Sequence, residues 1–242
     1  MSAIDRAAHL NRWRQKPLAE KALLALGMLI LALVLPPGPG APLIAVVMTA
    51  ATLLGARVPP RLWLSFMAAP MGFLAVGVIS LVLRVDAHGI GVAPGGFHAA
   101  ATLAARSIAG MTCLLFLALT TPTTDLIAGL RRIGVSAEIT EVALLIYRFV
   151  FMLADAALQM EVAQAARLGH ATARLRLRSL GLLIANLLPR AFDRARRLEV
   201  GLAARGWRGD MSVLSDRPAP TAQGLALVVL IECSTALAGM LI

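Results

Sequence analysis

Long apolar runs, interrupted by short polar, glycine-rich or proline-rich segments, make up most of the chain. The main runs are residues 18–35, 42–56, 62–83, 97–120 and 223–242. A helix needs about 20 apolar residues to cross the hydrocarbon core of a bilayer, so four runs predict spanning helices and 42–56 predicts a short or tilted one. Segment 84–96 is rich in glycine and predicts a loop. The pattern is typical of an all-α polytopic membrane protein with about five transmembrane helices.

The segment 121–222 has a different pattern and is too long to be a loop without structure of its own. Thr124 or Asp125 is placed to cap the start of a short helix that runs through Arg132. Gly134 follows as the residue that stops this helix. The beginning of the segment is therefore expected to be helical.

Two longer helices are predicted in the rest of this segment. The first runs from about residue 137 to 168, and Pro189 either starts or bends the second, which runs to Arg205. The predicted organisation is N-terminal membrane helices (1–120), long cytoplasmic helices (121–222) and a C-terminal transmembrane helix (223–242).

Positive charge is concentrated in a few of the polar segments. The chain has 23 Lys and Arg against 13 Asp and Glu, a net charge of +10, although 59% of it is hydrophobic. Residues 121–222 contain 14 arginines, residues 1–21 contain five basic side chains and residues 36–41 contain none. Cytoplasmic loops hold the excess of Lys and Arg, so we expect a multi-pass protein of the (inner) cell membrane whose N-terminus and residues 121–222 are cytoplasmic. Anionic headgroups or an acidic protein groove, not nucleic acid, are the expected partners.

Two predicted helix ends carry nearly the same sequence. Ala-Ala-Arg-Leu-Gly at 165–169 is echoed by Ala-Ala-Arg-Gly at 203–206. A cation in the last turn complements the helix dipole, and Gly169 and Gly206 are expected to supply left-handed stops, which by itself would explain both ends. Small alanines also let two helices cross closely and present two guanidinium groups that bind carboxylates. The residues assigned to this docking surface are Ala166, Arg167, Gly169, Ala204, Arg205 and Gly206.

A cationic stripe precedes the second of these ends. Arg190, Arg194 and Arg197 fall on one face of the predicted helix, and Asp193 and Arg197 are spaced for an i,i+4 ion pair. The stripe is either a solvated face, a face that lies on anionic lipid, or a docking face for another protein. The two similar helix ends favour docking.

A short segment and a single acidic residue are also expected to have structural or coupling roles. Tyr147-Arg148-Phe149 is expected to pack where the membrane and cytoplasmic parts meet. Glu232 lies inside the last apolar run, where an ionisable side chain is a functional candidate. We expect Arg106 or Arg148 to pair with it.

Several catalytic motifs are missing from the sequence. It contains no phosphate-binding Gly-x-x-x-x-Gly-Lys-Ser/Thr, no His-Glu-x-x-His and no Gly-x-Ser-x-Gly. A membrane-embedded enzyme that acts on lipid headgroups stays as the alternative function, although it would need clustered acids and the acids here are scattered. A self-contained secondary transporter would show inverted repeats and broken helices, which we do not find.

Several of these segments together resemble the transmembrane T component of energy-coupling factor (ECF) transporters, in its cobalt-transport, CbiQ-type form. The segments that carry the resemblance are Ile4-Asp5-Arg6-Ala7-Ala8-His9-Leu10, Thr120-Thr121-Pro122-x-x-Asp125, Leu130-Arg131-Arg132-Ile133-Gly134, Tyr147-Arg148-Phe149 and Ala204-Arg205-Gly206. The first Ala-Arg signature departs from the usual form, because Leu168 stands where Gly or Ser is common and Gly169 follows one place later.

The resemblance implies a non-catalytic coupling subunit. Its long helices would dock on two ABC-type ATPase subunits through the signature arginines, and its membrane part would hold a substrate-binding S component (CbiM-like) assisted by a small accessory membrane subunit (CbiN-like). ATP with Mg²⁺, and Co²⁺ or Ni²⁺, would be bound by those partners, so no cofactor is expected on this chain.

Overall fold

A computed structural model describes residues 3–36, 38–86, 89–206 and 219–241. The helices are α1 (Ala3–Leu10), α2 (Leu18–Val34), α3 (Gly40–Ala50), α4 (Pro60–Val82), α5 (Gly96–Thr120), α6 (Thr123–Leu130), α7 (Ala137–Ala166), α8 (Ala173–Ala204) and α9 (Ala222–Leu241). A π-helical turn, Ala51–Gly55, extends α3, and a 3-10 turn, Arg131–Ile133, follows α6. The chain forms two compact units, Met1–Leu126 with Asp216–Ile242 (the membrane unit) and Ile127–Ser215 (the arginine-rich unit).

The helices of the membrane unit confirm an all-α polytopic membrane protein. Three of them, Pro60–Val82, Gly96–Thr120 and Ala222–Met240, are long and apolar enough to cross a bilayer. The 17-residue α2 and the apolar stretch Gly40–Gly55 are shorter. Apolar side chains such as Phe73, which is 83% exposed, cover the outside of the unit, as expected of a surface that faces lipid.

The predicted glycine-rich loop after α4 is partly a β-hairpin. Strands β1 (Leu83–Asp86) and β2 (Gly89–Val92) pair antiparallel, with Leu83 opposite Val92. The loop prediction at 84–96 was therefore wrong for these residues. Valine and isoleucine alternate with glycine in β2, and β-branched residues favour extended backbone over helix.

The core of the membrane unit lies between α2, α3, α5 and α9. Met28, Ile44, Met48 and Phe116 are almost completely buried in it. Trp13 packs edge-on against Phe116, with ring centroids 5.7 Å apart. The connection before α2 is therefore tied to the buried core of the membrane unit.

Helix α9 packs on α2 and α3 through glycines. The Glu20 carboxyl group of α2 lies against Gly224 of α9, and the Glu232 carboxyl group of α9 lies against Gly27 of α2. The contact between Glu20 and Gly224 lies near the start of both helices, and the contact between Gly27 and Glu232 lies further along both. The two helices therefore run parallel, and both begin at the same end of the membrane unit.

The start of α6 differs from the prediction. The helix begins at Thr123, so Asp125 lies in its first turn and neither Thr124 nor Asp125 is the cap. An acid in the first turn is still favourable, because it faces the positive end of the helix dipole. The predicted stop is confirmed: Gly134 adopts φ +95° directly after the 3-10 turn.

Helix α8 passes through Pro189 without a break. It extends from Ala173 to Ala204, so Pro189 does not start a helix, and the alternative that it bends the helix stays a prediction. An internal proline removes one backbone hydrogen bond and crowds the carbonyl of the preceding turn. The long helical stretches on both sides of Pro189 continue the helix in spite of that cost. At the start of the helix, the Thr172 hydroxyl accepts a hydrogen bond from Leu175 N–H at 3.2 Å.

Candidate docking site

The first arginine helix end is closed by Leu168. Arg167 caps α7, and its N–H donates to the Gln164 carbonyl oxygen at 3.1 Å. Leu168 then adopts the left-handed conformation with φ +58°, and Gly169 N–H donates to Gln164 O at 2.9 Å. The prediction that Gly169 supplies the left-handed residue was therefore wrong. The left-handed residue is Leu168, one position earlier, and its Cβ atom makes this conformation sterically unfavourable.

Gly169 is needed for close packing. A Cβ at this position would lie 2.6 Å from Ser179 Oγ and 2.9 Å from the Gln164 carbonyl oxygen. Ser179, which is buried on α8, donates a hydrogen bond to Gly169 O at 3.1 Å. The glycine thus lets α8 approach the end of α7, and this contact fixes how the two helices cross.

The second end follows the prediction more closely. Arg205 caps α8, and its N–H donates to Leu202 O at 3.1 Å. Gly206 has φ +70°, so it supplies the left-handed stop expected of it. The two ends are alike in placing an arginine at the cap and different in the residue that reverses the chain.

The two ends are alike over more residues than the Ala-Arg signature. Glu-Val-x-x-Ala-Ala-Arg occurs at 161–167 and again at 199–205. All four charged side chains of these two segments are exposed, and the two valines, Val162 and Val200, are 70% and 69% exposed. Aligning the two segments on their arginines would have revealed the longer match. The matched segments thus place an exposed valine five residues before each arginine cap.

The arginines of α8 are also exposed. Arg190, Arg194 and Arg197 all lie at the surface of the arginine-rich unit. Among the described residues, Asp193 and Arg197 do not form an ion pair, whereas His9 and Asp5 do. The predicted i,i+4 pair was therefore wrong. Holding two long side chains in one solvated geometry gains little free energy, which accounts for the missing pair.

Tyr147 and Arg148 lie in the middle of α7. The Tyr147 ring packs edge-on against Phe151, with centroids 4.9 Å apart, and is partly buried. Arg148, next to it on the helix, is exposed. Their expected place where the membrane and cytoplasmic parts meet stays a prediction.

Glu232 is not paired with Arg106. Among the described residues, Glu232 Oε1 has no hydrogen-bond partner, and Arg106 Nη2 donates instead to Leu35 O at 2.8 Å. That carbonyl follows the end of α2, where backbone acceptors lack partners within the helix. The prediction of an Arg106–Glu232 pair was wrong because the Leu35 carbonyl at the end of α2 accepts the guanidinium hydrogen bond instead. The alternative partner, Arg148, belongs to the arginine-rich unit, and that pairing stays a prediction.

Metal-binding groups do not cluster in the part of the chain that the structure describes. No three His, Cys, Asp or Glu side chains there are close enough to hold a metal ion. The strongest candidate site on the chain is therefore the pair of exposed arginine helix ends.

Comparison with known proteins identifies the family. A family model described as a cobalt transport protein, CbiQ, matches residues 10–214, which include both arginine helix ends. The chain belongs to the CbiQ family of cobalt transport proteins. The predicted resemblance to this family is thereby confirmed.

Relatives of the CbiQ family support the same assignment. The chain is 53% identical over 242 residues to the cobalt transport protein CbiQ of Rhodobacter capsulatus, covering 100% of this chain and 99% of the relative. It is 32% identical over 224 residues to the cobalt transport protein CbiQ of Salmonella typhimurium, covering 87% and 99%. These relatives are named as transport proteins, which favours transport over chemistry on lipid headgroups.

A third relative has an additional part. It is named as a fused cobalt transport protein CbiMQ and comes from Methanocorpusculum labreanum. The chain is 30% identical to it over 223 residues, covering 87% of this chain and 37% of that protein. The matched CbiQ-like part is therefore a minor fraction of that longer protein.

Proposed function

We propose that the chain is the transmembrane coupling subunit of an ATP-driven ECF-type importer of cobalt or nickel. The observation that carries the proposal is the pair of exposed arginine caps, Arg167 and Arg205, each preceded by the same Glu-Val-x-x-Ala-Ala sequence in a cobalt-transport family. In this role the chain binds neither ATP nor the metal as its principal ligand. It passes motion from two ABC-type ATPase subunits to a substrate-binding membrane subunit.

The chemistry of the two helix ends suits an acidic groove. Guanidinium groups form bidentate hydrogen bonds with carboxylates, and such charge-assisted bonds are stronger than neutral ones. Each cap directly follows a helix of 30 residues or more, and its backbone N–H is hydrogen-bonded to that helix, so its backbone needs little ordering on binding. Two caps offer two contact points, one for each ATPase subunit in the proposed complex.

The topology of the membrane unit supports a cytoplasmic docking site. Helices α2 and α9 run parallel, so the segment before α2 and the segment before α9 lie at one face of the membrane. That face carries the excess of basic residues, which favours the cytoplasm. We place the N-terminus and residues 121–222 on the cytoplasmic side of the cell (inner) membrane.

A CbiM-like S component is the proposed substrate-binding partner. The relative named CbiMQ joins a CbiQ-like part to other sequence in one polypeptide, which supports physical association of two such proteins. A CbiN-like accessory subunit and Co²⁺ or Ni²⁺ as cargo of the S component complete the proposal.

The proposal is tested by reversing the charge of both caps. In Arg167→Glu/Arg205→Glu, the carboxylates would repel an acidic groove, so co-purification of the ATPase subunits and ATP-driven cobalt uptake should both be lost. The control variant Arg174→Glu/Arg178→Glu makes the same change in net charge at two exposed arginines within α8. It should retain both co-purification of the ATPase subunits and cobalt uptake. Arg167→Lys/Arg205→Lys should weaken binding, because lysine lacks the bidentate geometry. An intact, transport-competent complex with the Glu pair would refute the proposal.

A further inference from the structure

The C-terminal end of α5 is held by two side chains from the beginning of the protein. Lys21 Nζ donates to Thr120 O at 3.0 Å and to Trp13 O at 3.3 Å, and the lysine is 1% exposed. Asn11 Nδ2 donates to Leu119 O at 3.1 Å. The last carbonyls of a helix lack partners within it and form the negative end of its dipole, so a buried ammonium group is favourable there.

The N-terminal end of α9 is held by Glu20, the residue that precedes Lys21 in α2. Glu20 Oε1 accepts hydrogen bonds from Thr221 N–H at 3.3 Å and from the Thr221 hydroxyl at 3.2 Å. The same hydroxyl accepts from Gly224 N–H at 3.1 Å, and Gly224 leaves room for the Glu20 carboxyl group. A carboxylate at a helix N-terminus faces the positive end of the dipole. Each charge of the Glu20–Lys21 pair thus meets the helix end of opposite sign.

These two helix ends lie close in sequence to the two points where the chain passes between the membrane unit and the arginine-rich unit. The chain leaves the membrane unit after Leu126, six residues beyond Thr120, and returns to it at Asp216, five residues before Thr221. Two adjacent residues of α2 therefore bind the membrane unit within six residues of both connections to the arginine-rich unit.

We propose that Glu20 and Lys21, the helix-end anchor, transmit movement of the arginine-rich unit to α2 and so to the packed membrane helices. The inference rests on the proposed coupling function and names the positioning residues that it requires. A force on either connection reaches α2 through hydrogen bonds of 3.0–3.3 Å made by the buried side chains of Glu20 and Lys21. Protein interiors are close-packed and transmit such displacements instead of absorbing them.

Other contacts of α9 explain why the anchor is not needed merely to hold that helix. Further along, Glu232 lies against Gly27, and the Thr235 hydroxyl contacts Met28 Sδ at 3.5 Å. These contacts bind α9 to α2 away from the connections. Loss of the anchor should therefore leave an assembled membrane unit whose connection to the arginine-rich unit is loose.

The experiment measures cobalt uptake per ATP hydrolysed by the complete complex in proteoliposomes. Lys21→Met removes the donor at the end of α5, and Glu20→Gln keeps the volume and one acceptor oxygen but removes the charge at the start of α9. For both variants we expect ATPase subunits to co-purify at wild-type yield and hydrolysis to continue. Uptake per ATP should fall tenfold or more in Lys21→Met and at least threefold in Glu20→Gln.

Two further variants separate coupling from packing. Thr235→Val removes a polar contact between the same two helices and should keep the wild-type ratio, whereas Lys21→Arg keeps a cation and should recover at least half of it. An unchanged ratio in both anchor variants, or an equal fall in Thr235→Val, overturns the inference. If Lys21→Met does not assemble, Glu20→Gln decides. The co-purification assay is separate, so loss of the anchor idea with ATPase binding intact leaves the proposed function standing.

Discussion

Gly40 and Gly239 bring α3 and α9 into backbone contact. A Cβ on Gly239 would lie 3.1 Å from the Gly40 Cα atom, and a Cβ on Gly40 would lie 3.4 Å from the Gly239 Cα atom. Without a hydrophobic drive between helices in lipid, close van der Waals packing of small residues is a main source of association. This contact holds the far end of α9, as the helix-end anchor holds its beginning.

Gly239→Ala should destabilise the membrane unit by about 1–3 kcal/mol, because the new methyl group meets backbone and Leu35 Cδ2. The free energy of unfolding in detergent measures the effect. Gly77→Ala is the matched control, since no atom lies within 4 Å of a Cβ there. Equal stability of the two variants would show that the α3–α9 contact is not tight.

Gly27 and Glu232 should compensate each other. Gly27→Ala places a methyl group where the Glu232 carboxyl group lies, so that flexible group must move, at a cost of about 1 kcal/mol. In Gly27→Ala/Glu232→Ala the new methyl group fills part of the vacated space. The double variant should therefore be more stable than the sum of the two single changes predicts, as a double-mutant cycle of unfolding free energies would measure. Additive changes would contradict the contact.

Leu168 should be improved by glycine. The left-handed conformation costs a leucine roughly 1–2 kcal/mol, and glycine loses about 0.5–1 kcal/mol more backbone entropy on folding. Because Leu168 is 74% exposed, little packing is lost, and Leu168→Gly should stabilise the protein by about 0.5–1 kcal/mol. Gly206→Ala should have the opposite effect, about 1 kcal/mol destabilising. Thermal unfolding checks both signs, and a destabilised Leu168→Gly would mean that its side chain makes an essential contact.

Glu138 should make the start of α7 sensitive to acid. Its carboxylate accepts hydrogen bonds from its own backbone N–H and from the Ser136 hydroxyl, which lower the pKa of Glu138 below its ordinary value of 4.5. A lowered pKa in the folded state adds stability that is present above pH 4.5 and lost as the pH falls through the folded value. Ser136→Ala should speed amide exchange in the first turn of α7 at pH 7, and this difference from the wild-type protein should shrink as the pH falls through the folded pKa of Glu138. A difference that does not change with pH would exclude the carboxylate as the cause.

Local patterns predicted most helices because the rules behind them are local. A long apolar run has one stable form in lipid, since every backbone group must be hydrogen-bonded within the segment. Gly134 and Gly206 were predicted as stops because a left-handed residue is needed there, and glycine adopts that conformation without strain. The same rule failed at Gly169, which is not left-handed; glycine is required there because Ser179 of α8 leaves no room for a Cβ atom. That neighbour is ten positions away and belongs to another helix.

Polar partners were the least predictable feature. Arg106 was expected to bind a charge, but the carbonyl of Leu35, 71 positions away, takes its hydrogen bond. Lys21 was counted only as a basic residue near the N-terminus, yet it is buried against Thr120. Such pairings depend on which helix ends meet, and no spacing within a single helix reports that.

By itself the sequence determined where the apolar helices lie, the placement of positive charge and the two similar arginine helix ends, because hydrophobic length, charge and cap chemistry are properties of short segments. The tertiary structure alone decided that α2 and α9 run parallel, that glycines carry their contacts and that Glu20 and Lys21 bind the ends of α9 and α5. The physical reason is that helix association in the membrane depends on shape and on unsatisfied backbone groups at helix ends, which become defined only when distant segments meet.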